Sequence, residues 1–267
     1  MPTSTRAAVR AARGRVRSVS FEVAVVVTGV VTYFGIRGLT SASPEVAVDH
    51  AHDIVALERL LGIDHEAWLQ DLVVPSDAVS TLFNWVYIWG HWPVIAVTLL
   101  WLALRHRTVY LRLRNGMLVS GGLGLLVYTT YPVAPPRLAG LGLVDTVTER
   151  SQAYRVLQPP AFVNQYAAMP SLHVGWDLLV GLAIVSAATA TWLRWVGRIM
   201  PVLMAVATVA TANHYLLDVV GGVAFALAGL WVALLIERRR DARAHRVIVL
   251  PAQRHSSDGP LRDRVAR

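Results

Sequence analysis

Apolar residues gather into six runs: Phe21–Thr40, Val79–Leu104, Gly116–Tyr131, Leu172–Thr191, Ile199–Ala212 and Tyr215–Ile236. Each is near the ~20 residues that a helix needs to cross hydrocarbon, the fifth only if Trp192, Trp195 and Arg198 extend it into the interface. The pattern predicts an all-α integral membrane protein, a bundle of six transmembrane helices. The first run, over residues 21–40, follows an arginine-rich start and precedes Ser41-Ala42-Ser43, which is also the outline of a signal peptide; we read it as a retained span. Residues 41–77 differ in character. From Glu45 to Asp77, the acids Asp49, Asp53, Glu58, Asp64, Glu66 and Asp71 alternate with Ile54, Leu57, Leu60, Leu61, Trp68 and Leu72 at helical spacing. That spacing predicts short extracytoplasmic amphipathic helices lying on the membrane. Residues 78–236 form a five-span core. Residues 1–20 hold five arginines and no apolar period, and residues 237–267 are arginine-rich. Both are expected in the cytoplasm, largely disordered.

Composition supports the same class: 267 residues, 55% hydrophobic, 16% charged, mean hydropathy +0.48. The chain has no cysteine, which excludes a disulfide framework, a thiolate zinc site and a cysteine nucleophile. Its 25 basic residues are all arginine, for a net charge of +8. Nucleic acid is not the expected partner, because the aromatic residues lie inside the apolar runs. Of the arginines, 20 fall on the N-terminal side of the six-span layout; Arg37, Arg59, Arg137, Arg150 and Arg155 fall on the other. The positive-inside rule then puts both termini in the cytoplasm of a multi-pass plasma-membrane protein.

Three polar clusters stand at span borders on the arginine-poor, extracytoplasmic side. They are Pro135-Pro136-Arg137, Pro170-Ser171-Leu172-His173 and Asn213-His214-Tyr215-Leu216-Leu217-Asp218. His214 and Asp218 are four residues apart, and so are His173 and Asp177, so each carboxylate can lie one turn below its imidazole. A carboxylate on Nδ1–H fixes the tautomer and leaves Nε2 as a nucleophile or base. A second histidine can serve as general acid, an arginine binds a phosphoryl group bidentately, and the helix N-terminus opened by Ser171 offers N–H groups to phosphate. Together these residues point to phosphoryl transfer. Asp177 either orients His173 or lies deeper and pairs within the bundle. Asn84 and His91 sit inside the second run, where an interhelical hydrogen bond is the ordinary role. His91, Asn164 and Gln165 are also candidates to hold a substrate head group.

The segments PSLH, NHYLLD and YPVAPPRL resemble the three motifs of the type 2 phosphatidic acid phosphatase superfamily, over Gly116–Ile236. APPRL, NQYAAMPSLHVGW and NHYLLD are similar to its actinobacterial branch akin to the fungal inositol phosphorylceramide synthases. The resemblance implies His214 as the nucleophile that forms a phosphohistidine, Asp218 as its orienter and His173 as the acid for the leaving group. It also implies Arg137 and Ser171 as phosphate ligands, a six-helix bundle, and neither metal nor cofactor. The chain departs from the superfamily pattern in three places. Leu172 stands where the family has glycine, Thr130 where it has lysine, and Ala207-Thr208 where it has Ser-Arg. With two cations missing, the expected activity is a phosphotransferase that moves a phosphoryl or phospho-alcohol group, of the inositol phosphate kind, from a phospholipid or polyprenyl phosphate to a polyol or lipid-alcohol acceptor. The alternative is a lipid phosphate phosphatase that hydrolyses the same bond. A proton-coupled transporter fits less well, since no internal repeat exists beyond the two His-Asp pairs. A metal-dependent transferase would call for a clustered Asp-rich motif that the chain lacks.

Overall fold

Pro44 at its first position and Gly62 just past its end, at φ 67°, delimit helix α1, Pro44–Leu61. They do so in a computed structural model that describes residues 43–150 and 165–254, together with 22, 24–29, 31, 32 and 35. The expected arm over residues 1–20, most of the first apolar run, and residues 151–164 and 255–267 lie outside the described residues. The remaining helices are α2, Glu66–Val73; α3, Asp77–Trp89; α4, Trp92–Arg105; α5, Arg107–Thr130; α6, Thr146–Arg150; α7, Leu172–Ala187; α8, Thr191–Ala210; and α9, Leu216–Arg254. Pro136–Leu138 forms a 3-10 turn. Among the described residues the fold is all-α, and the one β-bridge joins Val133 to Ala167.

The second apolar run is not a single rod. It breaks at Gly90-His91, and α3 and α4 meet at a bend of 42°. Pro93 enforces the break, since it has no N–H to give and its ring clashes with the turn before it. Two helices are long and apolar enough to cross a membrane, Thr191–Ala210 and Leu216–Arg243, or three if the bent pair counts as one span. Six are not shown by that measure: α7 has 16 residues, and α5 opens with Arg107, Arg112 and Arg114. As the fifth run required, α8 begins at Thr191 and takes in Trp192, Trp195 and Arg198. The tail departs from expectation, because α9 stays helical to Arg254. From Glu237 on, no glycine or proline interrupts the helix before Pro251, and Arg112 grips Glu237 through Nε and Nη2, both at 3.0 Å.

The core forms where α7 packs against α5, α8 and α9, around Trp176, Leu179, Val180 and Ile184. The α7–α9 crossing is close enough to dictate residue type. A Cβ on Gly222 would lie 2.1 Å from the Ser171 carbonyl oxygen, and one on Gly175 would lie 2.6 Å from that of Gly222. The outward faces of α4, α5, α8 and α9 expose Val97, Leu100, Leu126, Val202 and Trp231, an apolar exterior suited to lipid.

Helices α1 and α2 carry their polarity in an unusual sense. Ala47, Ala51, Ile54, Val55 and Glu58 face inward from α1, and Glu66, Gln70 and Val73 from α2. Leu60 is 82% exposed and Trp68 63%, while Glu58 is 0% exposed. Large apolar side chains, Leu57, Leu60, Leu61, Trp68 and Leu72, therefore face outward while two glutamates face inward among small and aliphatic residues, an exposure suited to a helix lying in the membrane interface.

Candidate active site

Backbone hydrogen bonds bring the three polar clusters together. Val133 donates to Tyr166 O at 2.8 Å and accepts from Ala168 N at 3.2 Å, while Ala134 N donates to Ala47 O at 2.9 Å. The segment before Arg137 is thus held between α1 and the loop that leads to Ser171. Ser171 N donates to Asp218 O at 2.9 Å, and Arg137 N to Ala212 O at 3.1 Å. Tyr128 Oη bonds Pro170 O at 2.6 Å, and Tyr215 Oη bonds Ala134 O at 3.0 Å. Ala212 sits in the left-handed region at φ 55°, which ends α8 abruptly and lets Asn213 and His214 both donate to Thr208 O.

His214 is 5% exposed. Its Nδ1 lies 2.8 Å from Ala168 O and 3.3 Å from Asp218 Oδ2. A carbonyl oxygen only accepts, so Nδ1 carries a proton, and in the neutral ring the lone pair falls on Nε2. The sequence placed Asp218 behind His214; the structure adds Ala168 O as the nearer acceptor. Asp218 Oδ2 also accepts from Tyr215 N at 2.9 Å, and Oδ1 has no hydrogen-bond partner among the described residues.

His173 begins the first turn of α7, and its ring centroid is 5.8 Å from that of His214. It stacks on Tyr87 at 4.6 Å and lies against His91 at 4.4 Å. Asp177, one turn further on, does not serve His173. Its Oδ1 accepts from His91 Nδ1 at 2.9 Å, with both groups buried, and Trp176 stacks on His91 at 8° between planes. Of the two roles open to Asp177, the structure shows the deeper one, a pair between helices, made possible by the break at Gly90-His91. Three imidazoles stand in a row, 91, 173 and 214, with a carboxylate behind each outer one.

Arg137 is held at both ends of its guanidinium: Nη1 donates to Asn213 Oδ1 at 2.5 Å, and Nε pairs with Asp145 Oδ2 at 3.2 Å. Its charge is shared with a carboxylate rather than open. Ser171 is fully buried as the N-cap of α7 and accepts from Val174 N at 3.5 Å. Gln165 is exposed in a turn and bonds none of the imidazoles; Asn164 lies outside the described residues. Asn84 takes the ordinary role, exchanging hydrogen bonds with Thr146 at 2.9 and 3.0 Å to pin α6.

Residues 52–232 match the family model described as the PAP2 superfamily. The chain belongs to the PAP2 superfamily. Comparison with curated proteins finds no match, and comparison with solved structures finds none. A PAP2 chain with apolar helices is a membrane protein, and the membership is consistent with lipid phosphatase or phosphotransferase activity. The PAP2 match begins well before Gly116 and takes in most of the acidic segment.

Three departures from the PAP2 motifs have visible consequences. Leu172 packs into the space over Gly124, where a Cβ would meet its Cδ1 at 3.0 Å. Thr130 is exposed and bonds back to Leu126 O, and Thr208 is fully buried, so neither position brings charge to the phosphate. Sequence reasoning passed over four residues that this chain sets beside the site. Gln70 clamps Val144 through both backbone groups at 2.9 and 2.8 Å, and Asp145 pairs with Arg137. Glu58 Oε1 accepts from Leu217 N at 2.7 Å and Glu66 Oε1 from Leu216 N at 2.9 Å. The signal was there to read, since Glu58 ends the stripe 47, 51, 54, 55, 58, which is otherwise apolar. Among the described residues no three His, Asp or Glu side chains converge as metal ligands.

Proposed function

We propose that this PAP2 protein is a metal-independent phosphotransferase of the inositol phosphorylceramide synthase-like branch. It moves a phosphoryl or phospho-alcohol group from a phospholipid to an alcohol through a phosphohistidine. The observation that carries this reading is the paired acceptance at His214 Nδ1, by Ala168 O at 2.8 Å and Asp218 Oδ2 at 3.3 Å, which leaves the Nε2 lone pair as the nucleophile. Nε2 attacks phosphorus, the bond to the leaving oxygen breaks, and His173 gives that oxygen its proton. An acceptor alcohol then attacks phosphorus, His173 takes the alcohol proton, and the P–N bond breaks to restore Nε2. Positive charge on the phosphorylated ring is balanced by Asp218. Arg137 and Ser171 hold the phosphate, and the guanidinium already shared with Asp145 suits a phosphodiester monoanion better than a phosphomonoester dianion.

The runner-up is hydrolysis, with water as acceptor. In its favour, His91 is 2% exposed and committed to Asp177, and Gln165 is exposed and bonds none of the imidazoles, so neither supports a polyol in the described site. We place the protein in the plasma membrane as six spans, both termini in the cytoplasm and the three imidazoles outside. The arginine asymmetry supports that layout.

The test is purified protein with a labelled phospholipid, with and without polyol and lipid-alcohol acceptors, in EDTA. Transfer to an acceptor, a trapped phosphoenzyme absent from His214→Ala, and turnover that persists in EDTA are expected. His173→Ala should slow alkoxide-releasing donors about 10²–10⁴-fold and spare donors whose leaving group needs no proton. Free phosphate as the sole product with every acceptor would make the protein a phosphatase; loss of activity in EDTA, restored by Mg²⁺, would overturn the metal-free mechanism.

A further inference from the structure

The proposed reaction uses neither Glu58 nor Glu66, yet both reach the turn that carries the nucleophile. The N-terminus of α9 offers three successive N–H groups, and three different carboxylates take them. Asp218 Oδ2 accepts from Tyr215 N at 2.9 Å, Glu66 Oε1 from Leu216 N at 2.9 Å and Glu58 Oε1 from Leu217 N at 2.7 Å. One carboxylate would suffice to cap a helix. Here Glu58 is wholly buried, and its Oε2 has no hydrogen-bond partner among the described residues. The groups facing Glu58 are Glu66 from α2, Asp218 from α9, and the phenol of Tyr215, with His214 behind Asp218. Tyr215 donates to Ala134 O, and the arginines paired among the described residues pair with other acids. Carboxylates crowded into one buried turn cannot all ionise, so a proton stays among them. Burial above all, opposed by the Leu217 N–H and reinforced by Glu66 and Asp218, pushes the Glu58 carboxyl up to about 8.

We propose that Glu58 is a positioning residue for His214. As a neutral acid it sets no charge against Glu66, the two carboxyls hold Leu216 and Leu217, and Asp218 is left as the ionised carboxylate behind the imidazole. The assignment rests on His214 being the nucleophile. The sign follows from the raised value: the neutral form is present below about 8 and lost as pH rises through it. Ionising Glu58 then sets a third negative charge in the buried turn, which repels Glu66 and Asp218 and loosens the turn that holds His214 on its orienter.

The experiment is phosphoenzyme formation by the full-length protein in vesicles, from an activated aryl phosphodiester whose leaving group needs no proton, so that His173 drops out of the pH profile. The wild-type rate should fall above about pH 8. Glu58→Gln keeps an oxygen for Leu217 N and gains an amide donor for Glu66; it should match wild type at neutral pH and lose the alkaline fall. Glu58→Ala should be slower at every pH, by about 10–100-fold as for other outer-shell partners. A Glu58→Gln profile that superimposes on wild type overturns the assignment, and this comparison stands even if Glu58→Ala does not fold. Covalent labelling that survives in His214→Ala would instead overturn the reading of the nucleophile.

Discussion

A buried aspartate needs a partner within reach, and Asp177, 0% exposed at the centre of α7, has one in His91. Removing one member of such a pair strands the other in a medium that solvates it poorly. His91→Ala should therefore lower stability by about 3–5 kcal/mol, read as thermal unfolding in detergent. Replacing both, as His91→Phe with Asp177→Leu, should recover most of that loss, because no polar group is left behind. The same pair holds the His91 ring against His173, so the double variant should fold yet lose activity, which separates its two roles. Arg137 repeats the logic with charge rather than burial. Its link to Asp145 at 3.2 Å means that a bound phosphate competes with a carboxylate already in place.

Helices set how precisely these residues meet. Gly222 brings α9 against the carbonyl of Ser171, so the first turns of α7 and α9 are locked side by side with His173 and His214 across the contact. A methyl at Gly222 would have to push the two helices apart. Gly222→Ala should cost about 1–3 kcal/mol in stability as an overpacked contact. It should also slow turnover about 10²-fold, the loss expected from a displacement near 1 Å between reacting groups. Steady-state rates and a melting curve on one preparation check both. The bend at His91 works at the same scale: an unbroken helix over Val79–Leu104 would have no reason to turn the His91 ring toward Asp177.

Across the whole molecule, α9 sets the depth. From Leu216 to Glu237 it rises about 30 Å, the thickness of a bilayer core. At one end stand the three imidazoles; at the other, Arg112 grips Glu237. Exposed Trp192 and Trp195, the latter with Arg198 over its ring at 5.1 Å, mark the N-terminus of α8. A cysteine-free chain allows direct mapping. Leu60→Cys, on the exposed apolar face of α1, should react with an impermeant thiol reagent in intact cells, and Trp192→Cys only after lysis. The reverse pattern would invert the orientation.

Much of this was legible in the sequence because it depends on local pattern. The all-α class, the apolar helices, the amphipathic character of residues 44–73 and the superfamily all follow from periodicity and from contiguous motifs such as PSLH and NHYLLD. The His214-Asp218 pair was legible too, since four residues on one helix turn fix a distance. What the sequence left undecided are partners set by contacts between segments far apart in the chain. Asp177 had His173 or a partner within the bundle in prospect, and only the bend at Gly90-His91 gave it His91. Ala168 O became the nearer acceptor for His214 through a loop 46 residues upstream. Helical spacing in α1 and α2 showed that these segments are short amphipathic helices. That Glu58 and Glu66 turn inward depended on three N–H groups at the start of α9, which had to be met in a buried place and which Asp218 and the two glutamates could reach.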